Sequence, residues 1–283
     1  MPARPVRPKR SIAWSLAGAL LLLSPAFAAK PQRICTPQVR CSDHRGCPDL
    51  SLDLGVLLDP AQTWMEFHTF APTDCAVVEG MAQAGTRKML LFATETNNLG
   101  PGGLELGDPA DHPAWFEFSP CHGHYHIKDY ADYRLWTPAG YAQWIALRGA
   151  QPDLCASEVL AANPALASQV VQTNKLGLCF YDVLLMGTWD GASQVCPRSP
   201  DPRTYVSCDF AGLGVCWADV YNGGLYGIQD GQWVDVTDLP DGEYVLENES
   251  NATRLIAEAD YTNNSIAIRV LIKGKKMSIL GPA

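Results

Sequence analysis

Beyond its first 28 residues the chain has no apolar run near the roughly 20 residues that a membrane-spanning helix requires, so membrane insertion by a helix is not expected. Positive charge is also sparse. The 283 residues carry 21 Lys and Arg against 30 Asp and Glu, a formal net charge of −9. That balance disfavours nucleic acid and anionic membranes, and favours a polyamine, a lysine-rich polypeptide or a divalent ion as partner. No internal repeat is present, and nothing after the leader is low-complexity. Helical patterning is confined to residues 153–172, with Leu154, Val159, Leu160 and Leu166, and Pro164 should split that segment into two short helices.

The leader itself reads as a signal peptide. Arg4, Arg7, Lys9 and Arg10 precede an apolar stretch over residues 12–23 and the small-residue signal Ala26-Phe27-Ala28, so cleavage is expected at or near Ala28. No cysteine stands there to carry a lipid, and a secreted or periplasmic product follows. Losing four basic residues takes the formal charge from −9 to −13. All ten cysteines lie after the cut, an even number that predicts disulfides in an exported chain.

Residues 29–48 hold Cys35, Cys41 and Cys47 at equal spacing and read as a cysteine-rich N-terminal arm, leaving 49–283 as one domain. From Leu50 onward short apolar runs alternate with Gly, Pro, Asn and Asp, which is an all-β pattern. Candidate strands are 87–94, 122–136, 232–236, 243–247 and 265–273. In the last, Ile266, Ile268, Val270 and Ile272 alternate with Ala267, Arg269, Leu271 and Lys273, giving one core face. Asp241-Gly242 marks a hairpin between 234–236 and 244–246. The expected fold is mainly β: an irregular, loop-rich antiparallel β-sandwich with few short helices, stabilised by disulfides.

Within Cys121-His122-Gly123-His124-Tyr125-His126, half of the six histidines alternate. On one extended strand His122, His124 and His126 would share a face, with Cα spacings of roughly 7 Å. An imidazole binds a metal at about 2 Å, so one ion over His124 could meet all three rings. Imidazole donors without thiolate suit copper, zinc, nickel or iron, and the affinity order favours copper(II). Three ligands leave positions open, as in catalytic sites.

The segment from Trp115 through Pro120 to His126 resembles the copper-binding signature of lysyl oxidases, an aromatic lead-in followed by Cys-His-x-His-Tyr-His. Further resemblances follow in order: Lys175-Leu176-Gly177-Leu178-Cys179, Cys216-Trp217-Ala218-Asp219-Val220-Tyr221, Gln232-Trp233-Val234-Asp235-Val236-Thr237-Asp238, and Glu258-Ala259-Asp260-Tyr261-Thr262-Asn263-Asn264. The likeness runs over residues 48–274. It implies a copper amine oxidase that builds lysyl tyrosylquinone from Lys175 and Tyr221, with dioxygen as co-substrate and a primary amine or lysine-containing peptide as substrate. The pair suits that chemistry: an oxidised phenol accepts an unprotonated amine, and burial lowers a lysine pKa toward that state. The quinone carbonyl is then an electrophile for a substrate amine.

The resemblance also implies a calcium site of Asp49, Leu50, Glu258, Asp260, Asn263 and Asn264, a hard-oxygen set. It implies bridges Cys121–Cys208, Cys196–Cys216 and Cys155–Cys179, with Cys35, Cys41, Cys47 and Cys75 left for two more whose pairing is open. This chain has Phe118-Ser119 where the family has tryptophan-histidine, Gly231 where it has a cysteine, and a longer stretch between Tyr221 and Trp233. Asp129 is a candidate base for the substrate α-proton. The rival readings are an exported copper-binding protein without catalysis, and a zinc hydrolase in which Glu117 would activate water.

Overall fold

The computed structural model describes residues 54–152, 154–177, 179–187, 195–196, 198–221 and 231–283. The leader, the arm over 29–48, Asp49 and Leu50 lie outside the described residues, as do the side chains of 172–178. In chain order the elements are β1 (Leu54–Phe70), α1 (Cys75–Val78), β2 (Gly85–Asn98), β3 (Leu104–Gly107), β4 (Phe116–Ser119), β5 (His124–Trp136), α2 (Pro138–Ala150), α3 (Ala156–Ala162), α4 (Pro164–Ala167), β6 (Val170–Gly177), β7 (Leu184–Leu185), β8 (Ala211–Leu213), β9 (Trp217–Tyr221), β10 (Trp233–Asp235), β11 (Gly242–Ser250), β12 (Ser265–Lys273) and β13 (Lys276–Pro282). Strand takes 44% and helix 15%, which makes the protein mainly β, as the sequence predicts.

Two antiparallel sheets form the sandwich. One runs β1-β2-β9-β7 with β10 also on β2, and the other runs β13-β12-β11-β5-β4 with β6 also on β5. Between them lies the main core, in which Leu90 and Phe92 of β2 meet Tyr130, Tyr133 and Leu135 of β5, Leu246 of β11, and Ile268, Val270 and Ile272 of β12. Strand β2 is buried on both faces, because its alternate residues Met89 and Leu91 pack with Phe70, Ala76 and Trp233. The two sets follow from the period-2 alternation of a strand.

The outer face of β5 is closed by helices. Thr137 caps α2 by accepting from Gly140 N, and Pro138 opens it, so that Trp144 is buried against Trp136. Helix α2 was not expected from the sequence, where Gly140, Gly149 and a single fully buried aromatic leave little periodic signal. Over 153–172 the structure has α3 and then α4 beginning at Pro164, but the segment ends in β6 rather than continuing as helix. Under α2 lies a buried charge cluster: Arg134 donates to Glu249 (2.6 Å), Asp132 (2.8 Å) and Glu247 (3.2 Å), and Arg148 donates to Glu249 (2.7 Å). Burial lowers the Arg134 pKa, but Glu249, Asp132 and Glu247 outweigh it and hold the guanidinium above its ordinary value.

Three expectations need correction. Asp241-Gly242 does not close a hairpin between its flanking strands, since β10 pairs with β2 and β11 pairs with β12 and β5 in the other sheet. Asp241 instead accepts from Gly274 N (2.7 Å) at the β12–β13 turn. Of the implied disulfides only Cys196–Cys216 is present. Cys121 bonds Cys75 rather than Cys208, and Cys179 bonds Cys208 rather than Cys155. Cys155 is also disulfide-bonded.

Candidate metal centre and the buried tyrosine beside it

The β4–β5 hairpin builds the candidate metal centre. Ser119 pairs with His124, Phe118 with Tyr125 and Glu117 with His126. The strand predicted from 122 begins only at His124, and His122 lies in the preceding turn. There Gly123 adopts φ +72 and donates to Ser119 O (2.8 Å), while His122 N donates to Ser119 Oγ (3.0 Å). The glycine answers a backbone demand rather than a crowding one, since a Cβ at that position would meet nothing within 4 Å.

The turn still delivers all three rings to one place. His122, His124 and His126 offer ligand atoms within 4.8 Å of one another, the only such cluster among the described residues. Nε2 of His124 and His126 are 3.0 Å apart. Two nitrogens bound to one ion at about 2.0–2.1 Å and near right angles stand about 2.9 Å apart, so the rings fit a shared metal. His126 is buried, and the other two are half-buried.

Helix α1 braces this turn from outside. The Cys75–Cys121 bridge joins it to the residue before His122, and Glu79 at its C-terminal end accepts from Ser119 Oγ. The second Glu79 oxygen, Oε2, stands 3.5 Å from His122 Nδ1. Sequence reasoning missed Glu79, which lies far upstream and is brought in by the Cys75–Cys121 bridge, where the resemblance implied Cys121–Cys208 and left Cys75 without an assigned partner. Glu117 is opposite His126 in register, but its side chain is exposed.

Farther along β5, Tyr130 and Tyr221 of β9 are in ring contact across the sandwich, with centroids 5.4 Å apart. Tyr221 is fully buried, and burial first and Asp219 second push its phenol well above the ordinary tyrosine value. Tyr130 donates to Thr96 Oγ1 (2.7 Å) and is raised for the same two reasons. Lys175, on β6, is the register partner of Ala131, the residue next to Tyr130. The backbone therefore brings Lys175 and Tyr221 to the same stretch of β5. Four residues separate it from His126, no more than about 13 Å of strand. Asp129 has φ +51 at the irregularity in β5–β6 pairing and is exposed; burial of its carboxyl and then Asp132 raise its pKa.

The expected calcium residues divide. Glu258 is buried, and it accepts from Leu54 N (2.8 Å), Asn251 Nδ2 (2.6 Å) and Asn264 Nδ2 (2.5 Å). Asp260 is exposed and accepts from Thr262 N (2.7 Å), while Asn263 is half-buried. Glu258 thus ties the first strand to the approach to β12 through its own hydrogen bonds.

Fold and site define a disulfide-bonded antiparallel β-sandwich with a cluster of three imidazoles that could hold a metal ion. Residues 194–281 match the lysyl oxidase family model, a stretch that includes Tyr221 and the Glu258 segment but not the histidines or Lys175. Lysyl oxidase homolog 4 of Mus musculus is 28% identical over 197 residues, covering 68% of this chain and 20% of that protein. Lysyl oxidase homolog 3 of Homo sapiens is 25% identical over the same shares, and lysyl oxidase homolog 2 of Bos taurus is 24% identical over 252 residues, 84% of this chain and 26% of its own length. Over these stretches the chain is similar to the lysyl oxidase family. It spans about a fifth to a quarter of the length of these relatives.

Proposed function

We propose that this protein is an exported copper-dependent amine oxidase. It would convert a primary amine, such as a peptidyl lysine, with dioxygen and water into an aldehyde, ammonia and hydrogen peroxide. The observation that carries this reading is the layout of β5. Its first turn and strand residues gather three imidazoles, and its middle meets Tyr221 by ring contact and Lys175 by register. His122, His124 and His126 would hold copper, which supplies the redox chemistry with dioxygen. Tyr221 and Lys175 would supply the phenol and amine of a lysyl tyrosylquinone. Tyr130, itself packed on Phe180, is in ring contact with Tyr221, and burial keeps the pKa of that phenol well above the ordinary tyrosine value.

Calcium is proposed as a structural ion held by Glu258, Asp260, Asn263 and Asn264 with Asp49 and Leu50. Their chemistry supports it, as carboxylate, amide and carbonyl oxygens suit a hard cation. Glu258 would have to share oxygens that already accept from Leu54, Asn251 and Asn264.

Copper-matured protein should react with a hydrazine at one site per chain and yield a peptide pair crosslinked through Lys175 and Tyr221. Lys175→Arg should lose the crosslink and most activity while retaining copper, because arginine keeps its proton and cannot add as an amine. Copper-loaded protein with both residues in separate, unmodified peptides and no amine turnover would favour the non-catalytic copper-binding reading.

A further inference from the structure

We infer that Glu79 is a positioning residue of the metal centre, holding the His122 ring through Nδ1 so that Nε2 is presented to the ion. This rests on the proposed metal centre and adds a residue to it. Three observations converge. Glu79 Oε2 and His122 Nδ1 face each other at 3.5 Å, and neither atom is open to solvent. The other oxygen of Glu79 accepts from Ser119 Oγ, which in turn accepts from His122 N (3.0 Å), so one carboxylate is tied to both ends of the same residue. The Cys75–Cys121 bridge closes the loop covalently, fixing the short helix that carries Glu79 to the residue preceding His122.

The alternative is that Glu79 merely ends α1. A carboxylate at a helix C-terminus faces the negative end of the peptide dipoles, so that position alone gives it no stabilisation. Its geometry is explained instead by the histidine. Of the three ligands His122 is the one not held on a strand, and so it has the most need of a brace. A metal-bound imidazole commonly donates its second N–H to a carboxylate, which fixes the tautomer and raises ligand basicity. At 3.5 Å the contact is longer than a closed hydrogen bond. Metal loading should shorten it, because a ring that gives one nitrogen to a cation donates more strongly from the other.

The test is titration of the metal-free, disulfide-intact protein with cobalt(II), read by its visible absorption, and then with copper(II). Removal of an outer-shell partner of this kind weakens metal binding by about 10 to 100-fold. Glu79→Ala should fall in that range, and the isosteric Glu79→Gln, which keeps the fold and a weaker acceptor, near its lower end. In Nδ1-labelled protein loaded with zinc, the His122 Nδ1 proton should be protected in the wild type and exchange rapidly in Glu79→Gln. In a His122→Ala background the Glu79 substitution should add no more than about twofold, since the pair acts as a unit. Wild-type affinity in Glu79→Gln, or equal weakening with and without His122, would overturn the inference while leaving the metal centre intact. A wild-type protein that binds neither cobalt nor copper would overturn the centre itself.

Discussion

Strand β5 carries two polar clusters, one at each end, and they are built on opposite principles. Around Arg134 the charges are of both signs and close on themselves: two cations and three carboxylates exchange hydrogen bonds under α2, sealed by Trp136 and Trp144. At the other end, beginning eight residues and at most about 26 Å along the strand from Arg134, His126 joins His124 and the turn residue His122, each offering a nitrogen toward the others. The first cluster contains its own answer to desolvation. The second has Glu79 beside His122 and sets three like donors together, where a shared cation would be the natural counterpart. A polar cluster that balances internally therefore reads as architecture, and one that repeats the same donor reads as a binding site, even when a single strand supplies both.

The comparison can be broken at either end, and the largest effect is expected at the histidines. His124→Ala removes the central ligand and should abolish copper binding, quinone absorbance and amine oxidation together, with little change in the stability of the metal-free protein. Normal quinone absorbance in that variant would end the assignment. Next in size, Arg134→Met withdraws the shared cation and leaves three carboxylates confined. The unfolding free energy in urea should drop by about 3–5 kcal/mol, while cobalt affinity of the folded fraction stays within about twofold. Loss of metal affinity in step with stability would show that the two ends are one unit.

A smaller effect concerns the tyrosines between the two clusters. Burial raises the pKa of Tyr130, Tyr133 and Tyr221, so the folded state keeps protons that unfolded tyrosines release near pH 10. Above that pH the unfolded state binds fewer protons, and stability must fall as pH rises, by up to about 1.4 kcal/mol per pH unit for each such group. In metal-free protein Tyr221→Phe should make this alkaline decline shallower by one group's share, measured by urea unfolding from about pH 9 to 11. An unchanged slope would mean that Tyr221 is not the dry phenol described. The smallest effect is calcium's. Saturating calcium should raise the melting temperature by about 2–4 °C, the response to roughly 1 kcal/mol in a domain of this size, and Asp260→Ala should remove it.

How much of this could be read in the chain depended on the range of the interaction. The core face of β12 was legible, because alternation is a local signal and Ile268, Val270 and Ile272 are all buried as it requires. The grouping of the histidines was also legible, although the local geometry differed. A two-residue spacing fits a strand and equally a turn through a left-handed glycine, and only the backbone at Gly123 separates them. The three-dimensional partners were out of reach. Nothing in the sequence around Cys121 points to Cys75, and without that bridge Glu79 has no visible connection to His122. The Asp241-Gly242 turn failed for a related reason: its flanking strands look like a local pair, but long-range burial sends them to different sheets.

The Cys75–Cys121 bridge also decides which elements the turn can discriminate. As a free thiolate next to His122, Cys121 would be the softest donor in the neighbourhood and would draw monovalent copper into a mixed sulfur–nitrogen set. Bonded to Cys75, its sulfur leaves the competition and the remaining donors are imidazoles alone. If the proposed centre binds copper, oxidation of this one sulfur pair would leave a nitrogen-only donor set at the turn, and bridge formation would have to precede loading of that set.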